Sequence, residues 1–139
     1  MSNIAGETRS GAWTALKIVA ALTPLLVLTQ AVLAGRGLYI NHSAIDIHGM
    51  VANGIALLVV VQAVLAWLAL SRGNAGRALF GVCLALVVLV FAQIGLGYSG
   101  RDGGNAAALH IPNGVLILGL SVIAYMLTRT QPTATATRI

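Results

Sequence analysis

Charge is nearly absent from this chain. Of 139 residues, eight are Lys or Arg and three are Asp or Glu, where a soluble domain carries about a quarter charged residues. That shortage excludes a water-soluble enzyme. Hydrophobic residues at 58% and a mean hydropathy of +0.93 exclude disorder. Cysteine occurs once, at Cys83, so no intramolecular disulfide forms, and thiolate metal sites, which need several cysteines, are excluded as well. A lone Cys inside an apolar stretch reads as a small apolar core residue. Proline occurs three times. Pro24 is expected to kink the first helix, Pro112 to bend or delay the start of the fourth, and Pro132 to sit in a short frayed tail over 129–139.

What is present is long and apolar. Lys17 to Arg36, Asp46 to Arg72, Arg77 to Arg101 and Asp102 to Arg129 enclose charge-free stretches of 18, 25, 23 and 26 residues. A membrane-spanning helix needs about 20 apolar residues, within a range of about 17–25. The expected fold is therefore all-α: an integral membrane four-helix up-down bundle in one transmembrane domain over 1–139. Its spans are expected at 14–35, 44–71, 77–98 and 106–128. The small-residue run Ala31-Val32-Leu33-Ala34-Gly35 resembles a leader cleavage site, but the apolar run before it is long and contains Pro24, so it is read as the first span.

The distribution of the net charge of +5 speaks to topology. With the N-terminus cytoplasmic, Arg9, Lys17, Arg72, Arg77, Arg129 and Arg138 fall on the inner side, and only Arg36 and Arg101 on the outer. That bias places both termini in the cytoplasm of a cell inner (plasma) membrane, with the lipid bilayer as the first partner. Trp13, Trp67 and Tyr125 near the inner boundary, and Tyr39 and Tyr98 near the outer, agree. The basic excess is spent on orientation, so no nucleic-acid partner is expected.

The chain also repeats itself. Residues 30–37 read Gln-Ala-Val-Leu-Ala-Gly-Arg-Gly and residues 93–100 read Gln-Ile-Gly-Leu-Gly-Tyr-Ser-Gly. His48 follows Gln30 by eighteen residues, and His110 follows Gln93 by seventeen. Asn53-Gly54 and Asn113-Gly114 come shortly after each histidine, and Arg36 and Arg101 are expected in matching outer loops. Two helix pairs repeated in this way are related by a pseudo-two-fold axis along the membrane normal.

Ionisable residues inside a span are costly and mark function by default. His48 and His110 lie about one turn inside the outer ends of the second and fourth helices, which are diagonal in an up-down bundle. Neighbour spacings of about 8–10 Å put that diagonal near ~13 Å, too wide for the two imidazoles to share a zinc ion directly. It suits a flat cofactor between them with its metal at the centre: haem with two axial histidines. Ala44 and Ala52 about His48, and Ala106 and Gly114 about His110, leave room for a porphyrin face. Arg36 and Arg101 suit its propionates. His42 lies in a loop without a repeat partner and is not expected to ligate. Asp46, the one acid near the site, is expected to cap the second helix rather than orient an imidazole. Gln30, Gln93, Asn53 and Asn113 are expected to be hydrogen-bonding groups between helices. Gln62 shares the face of His48 but lies much deeper, where no histidine is available to bind a second cofactor.

Taken together, His48, the run Leu109-His110-Ile111-Pro112-Asn113-Gly114, the Gln-x-x-Leu-(Ala/Gly) helix ends and the 62-residue histidine spacing resemble one four-helix half of the haem A synthase family, over roughly residues 12–128. The resemblance implies a histidine opening the second and fourth helices on the outer side. Two departures are plain. Where the family's catalytic half has a glutamate three residues before the first histidine, this chain has Ile45, and Asp46 is one position off, about 100° around a helix. The outer-loop cysteine pair of many members is missing too. The likeness is closer to the half that holds haem b, which implies haem b binding more strongly than hydroxylation of a haem methyl group.

Three functions follow as expectations. The first is a haem b protein moving electrons, alone, as a homodimer or within a larger membrane redox complex. The second is a half-size haem A synthase-like enzyme or haem-handling protein acting as a homodimer. The third is a cofactor-free accessory membrane subunit.

Overall fold

The computed structural model describes residues 2–70, 73–101 and 103–130, with side chains described from residue 11 onward. The side chain of Arg9, together with Arg72, Asp102, Arg138 and the tail beyond Thr130, lies outside the described residues.

Four helices make the fold: α1 (Ser2–Tyr39), α2 (Ser43–Leu68), α3 (Asn74–Ser99) and α4 (Gly104–Arg129). No strand occurs among the described residues. At about 1.5 Å per residue, the 26-residue helices exceed the roughly 30 Å hydrocarbon core of a bilayer. All four are long and apolar enough to cross a membrane, α1 through its Gly11–Tyr39 part. The chain is a four-helix membrane bundle.

The ends differ from the expected spans for local reasons. Helix α1 runs through Arg36 to Tyr39, because the Arg36 carbonyl accepts the Ile40 and Asn41 amides and closes the last turn there. Arg36 is thus helical rather than a loop residue; a charge marks where apolar sequence ends, not where hydrogen bonding does. Helix α2 stops at Leu68, short of residue 71, where the Ala69 amide turns back to the Ala66 carbonyl and tightens the chain. Pro112 neither delays nor ends α4, which starts at Gly104, and Pro24 sits inside an unbroken α1. Gly103 and Gly104, at φ +88° and +81°, make the left-handed entry into α4 that a side chain would resist.

Neighbouring helices pack in a ring, α1 on α2, α2 on α3, α3 on α4 and α4 on α1. Helices α2 and α4 are therefore diagonal, as are α1 and α3. The inner positions obey the same offsets as the motifs. Leu16, Ala20 and Thr23 of α1 are buried, and so are Leu79, Cys83 and Leu86, each 63 residues on. Ile55, Val59, Gln62 and Ala66 of α2 are matched by Ile117, Ser121, Ala124 and Thr128, each 62 residues on. Much of this core is Ala, Cys, Ser and Thr, while Ile18, Leu25, Leu57, Val88 and Val115 point outward. Small residues mixed into the core, with many large ones facing outward, suit helices that pack by close contact in lipid, where large apolar side chains gain little from being hidden.

One buried polar chain breaks the symmetry. Thr23 Oγ1 donates to Gln62 Oε1 at 2.6 Å, and Gln62 Nε2 donates to Cys83 Sγ at 3.5 Å. Cys83 is thus buried as expected but also accepts a hydrogen bond, and Gln62 ties α2 to α1 and α3.

Within each hairpin a glycine sets how closely the two helices approach. A Cβ on Gly37 would meet the Ile45 backbone nitrogen at 3.0 Å as well as its side chain, and one on Gly100 would meet the Ala107 nitrogen at 2.8 Å. Gly37 and Gly100 are repeat equivalents, as are Ile45 and Ala107. Each contact falls three residues before a histidine, so it fixes where along the hairpin that histidine stands.

Candidate functional site

His48 and His110, one turn or so into α2 and α4, face each other across the diagonal with ring centroids 6.2 Å apart and ring planes inclined by 51°. Both are half-buried. The estimate of ~13 Å describes the helix axes; the side chains close most of that gap. Distance therefore does not exclude direct metal sharing, as the axis spacing had suggested. Among the described residues no three His, Cys, Asp or Glu side chains converge, where a structural zinc site takes four protein ligands.

A two-ended latch holds His48. Gln30 Nε2 donates to the His48 carbonyl at 3.0 Å, and the His48 ring lies 3.1 Å through Nδ1 from the Gln30 carbonyl. A carbonyl only accepts, so Nδ1 carries the proton and Nε2 keeps its lone pair. That is the arrangement by which metal-binding histidines are usually oriented, a backbone carbonyl fixing tautomer and ring together.

The second hairpin repeats half of this latch. Gln93 Nε2 donates to the His110 carbonyl at 2.9 Å. The Gln93 backbone carbonyl faces the His110 ring, but His110 Nδ1 is buried without a formed hydrogen bond. The ring rests against Gly97, where a Cβ would stand 3.0 Å from its Cε1; the equivalent residue in the first hairpin is Ala34. The glutamines differ in the opposite sense. Asn113 Nδ2 donates to Gln93 Oε1 at 2.6 Å and to the Leu89 carbonyl at 3.0 Å. Gln30 Oε1 is buried with no partner, because Val51 stands where the second hairpin has Asn113.

The spacing of the two rings is one that two imidazoles on a single metal would have. A metal–imidazole bond of about 2.0–2.1 Å, with a ring nitrogen roughly 1.1–1.2 Å from its centroid, separates two axial rings by about 6.2–6.6 Å. The observed 6.2 Å falls in that interval, and the Gly97 cradle and the free Nε2 of His48 are in keeping with it.

The remaining candidates are distributed otherwise. At Gly114 a Cβ would stand 3.2 Å from the Gln93 side-chain amide, so that amide also calls for a bare position there. Ala52 and Ala106 are half-buried, and Ala44 is buried. Arg36 is exposed in the last turn of α1. Arg101 stands over the Tyr98 ring at 4.8 Å and lines a groove with Asp46 on the outside of α2, so it is not brought to the histidine pair. Asp46 is in the first turn of α2, where its charge suits the helix dipole, but the side-chain hydrogen bonds at that turn come from Asn41, whose Oδ1 accepts the Ser43 amide at 3.1 Å and hydroxyl at 2.9 Å. The N-cap position is His42, with no side-chain cap bond, so Asp46 does not supply the expected cap and Asn41 only braces the turn ahead of the helix. His42 is exposed at the helix boundary. Asn53 does not bridge helices as Asn113 does; it faces outward into the Asp46 groove. The sequence signal was there to be read, since Asn53 follows its histidine by five residues and Asn113 by three, a difference of about 200° around a helix.

Comparison of the chain with family models, with curated proteins and with solved structures gives no match.

Proposed function

We propose that this chain is a membrane haem b protein in which His48 and His110 are the two axial ligands, and that it carries electrons. The reading is carried by the 6.2 Å facing pair of imidazoles on diagonal helices, with His48 Nδ1 committed to the Gln30 carbonyl. When bound, haem b would supply reversible one-electron chemistry, and His48 and His110 would both hold it, which disfavours oxygen binding. The residues do the rest. Gln30 keeps Nε2 of His48 unprotonated, and Gln93 fixes the backbone of His110. Arg36, exposed at the end of α1, is the cation available to a haem carboxylate. We place the histidine end of the bundle at the outer face of the plasma membrane, from the positive-inside bias. The likeness to the haem b-holding half of haem A synthases supports the same reading, and Ile45 supplies no carboxylate for a hydroxylation.

A second reading, a haem-handling protein or half-size haem A synthase-like enzyme acting as a homodimer, draws on one observation: His110 Nδ1 has no hydrogen bond. An imidazole without that support is the easier ligand to displace.

The test is the pigment of the purified protein. Extraction should yield haem b, even from cells supplied with haem O, and His48→Ala or His110→Ala should each abolish the low-spin spectrum while His42→Ala leaves it intact. Haem A or a hydroxylated haem O that disappears in Asp46→Ala would establish the enzyme reading instead.

A further inference from the structure

We propose that the seam between α2 and α3 binds a lipid-soluble quinone, its ring at the histidine end and its tail along the lower part of the seam. At the histidine end, Asp46, Met50, Asn53, Tyr98 and Arg101 line a groove of about 240 Å³. Farther along the same two helices, Val60, Val64, Trp67, Phe80 and Leu84 line a second groove of about 270 Å³ with no polar lining residue. A polar head and an apolar tail would thus find their places along one seam.

Asn53 is the residue that asks for a ligand. It stands ten residues into α2, about 15 Å along the axis. It is exposed, and among the described residues it makes no hydrogen bond. An amide facing hydrocarbon without a partner is costly. About two turns nearer the helix start, Asp46 offers an acceptor, and Arg101, held over the Tyr98 ring, offers donors. The occupant therefore needs hydrogen-bonding oxygens at two depths, no charge of its own, a flat ring to lie by Tyr98, and a long apolar chain. A quinone has all four. A phospholipid phosphate does not suit Asn53, because it would carry its charge below the interface.

Binding itself does not depend on haem. If the haem reading also holds, the quinone site lies within about one helix width, roughly 10 Å, of the His48 backbone and names the class of redox partner.

The experiment titrates the purified full-length protein in detergent micelles with a decyl-substituted benzoquinone, following heat of binding, with light scattering on the same samples. Saturable binding of one quinone per chain is expected, weakened at least roughly tenfold by Asn53→Leu and by Asp46→Ala, and unchanged by Met126→Leu on the far side of the bundle. Non-saturable uptake, or Asn53→Leu binding like the parent, overturns the proposal. So does Asn53→Leu splitting a dimer while quinone affinity stays the same, which would make Asn53 a contact between copies. Co-purification of a phospholipid that is lost in Asp46→Ala, with quinone affinity unchanged, overturns it in favour of a lipid site.

Discussion

In the α1–α2 hairpin the imidazole is tied down and the glutamine is half satisfied; in the α3–α4 hairpin the glutamine is fully engaged and the imidazole is not. His48 gives its Nδ1 proton to the Gln30 carbonyl, while Gln30 Oε1 has no donor. Gln93 is bonded at both ends of its amide, while His110 Nδ1 has none. The same residues at the same depth have thus diverged in how their polar atoms are satisfied, and two substitutions account for much of it: Val51 against Asn113, and Ala34 against Gly97. A duplicated pair of helices preserves where a ligand stands more strictly than how firmly it is held.

The largest effect is expected where the hairpins agree. Gly100→Ala would press a Cβ onto the Ala107 backbone nitrogen and the Leu96 carbonyl, both at 2.8 Å, and backbone cannot step aside. We expect a loss of about 2–4 kcal/mol, seen as a lowered unfolding midpoint in detergent. Gly37→Ala meets mainly the Ile45 side chain and should cost less. Equal losses would mean that the two turns are held by something other than these contacts.

The glutamines come next. Gln93→Leu removes the bond to the His110 carbonyl and strips Asn113 of one acceptor, whereas Gln30→Leu removes one bond and an unsatisfied oxygen. At about 0.6–1.7 kcal/mol per interhelical hydrogen bond in a membrane, Gln93→Leu should be the more destabilising of the two in denaturant titrations followed by circular dichroism. If Gln30→Leu is the worse, Gln30 Oε1 has a partner in the membrane.

Val51→Asn is the smallest and most pointed change. It offers Gln30 Oε1 the donor that Asn113 gives Gln93, and should stabilise the first hairpin by about 0.5–1 kcal/mol. A destabilised Val51→Asn would show that the hairpins are not interchangeable at this layer.

Much of this was legible in the sequence, for physical reasons. Four charge-free stretches mark four spans because charge is expensive in hydrocarbon, and glutamines and histidines stand out in such stretches, so the repeat and the facing pair could be read directly. Helix ends were less legible: Arg36 marks the end of apolar sequence, yet hydrogen bonding carries α1 to Tyr39. The glycine contacts at Gly37 and Gly100 were hidden because small residues are everywhere in this chain and only a backbone shows which of them touch. Asn53 and Asn113 looked equivalent because both precede a glycine, but a two-residue difference in register puts one outside the bundle and the other within it.

The central claim is that His48 and His110 hold one haem between them. Electron paramagnetic resonance of the oxidised, purified protein tests it most directly, together with an iron-to-protein ratio. The account predicts one haem per chain with the low-spin ferric signal of two imidazole ligands, lost in either His48→Ala or His110→Ala. A high-spin signal in the parent protein, or a low-spin signal that survives both substitutions, would contradict it.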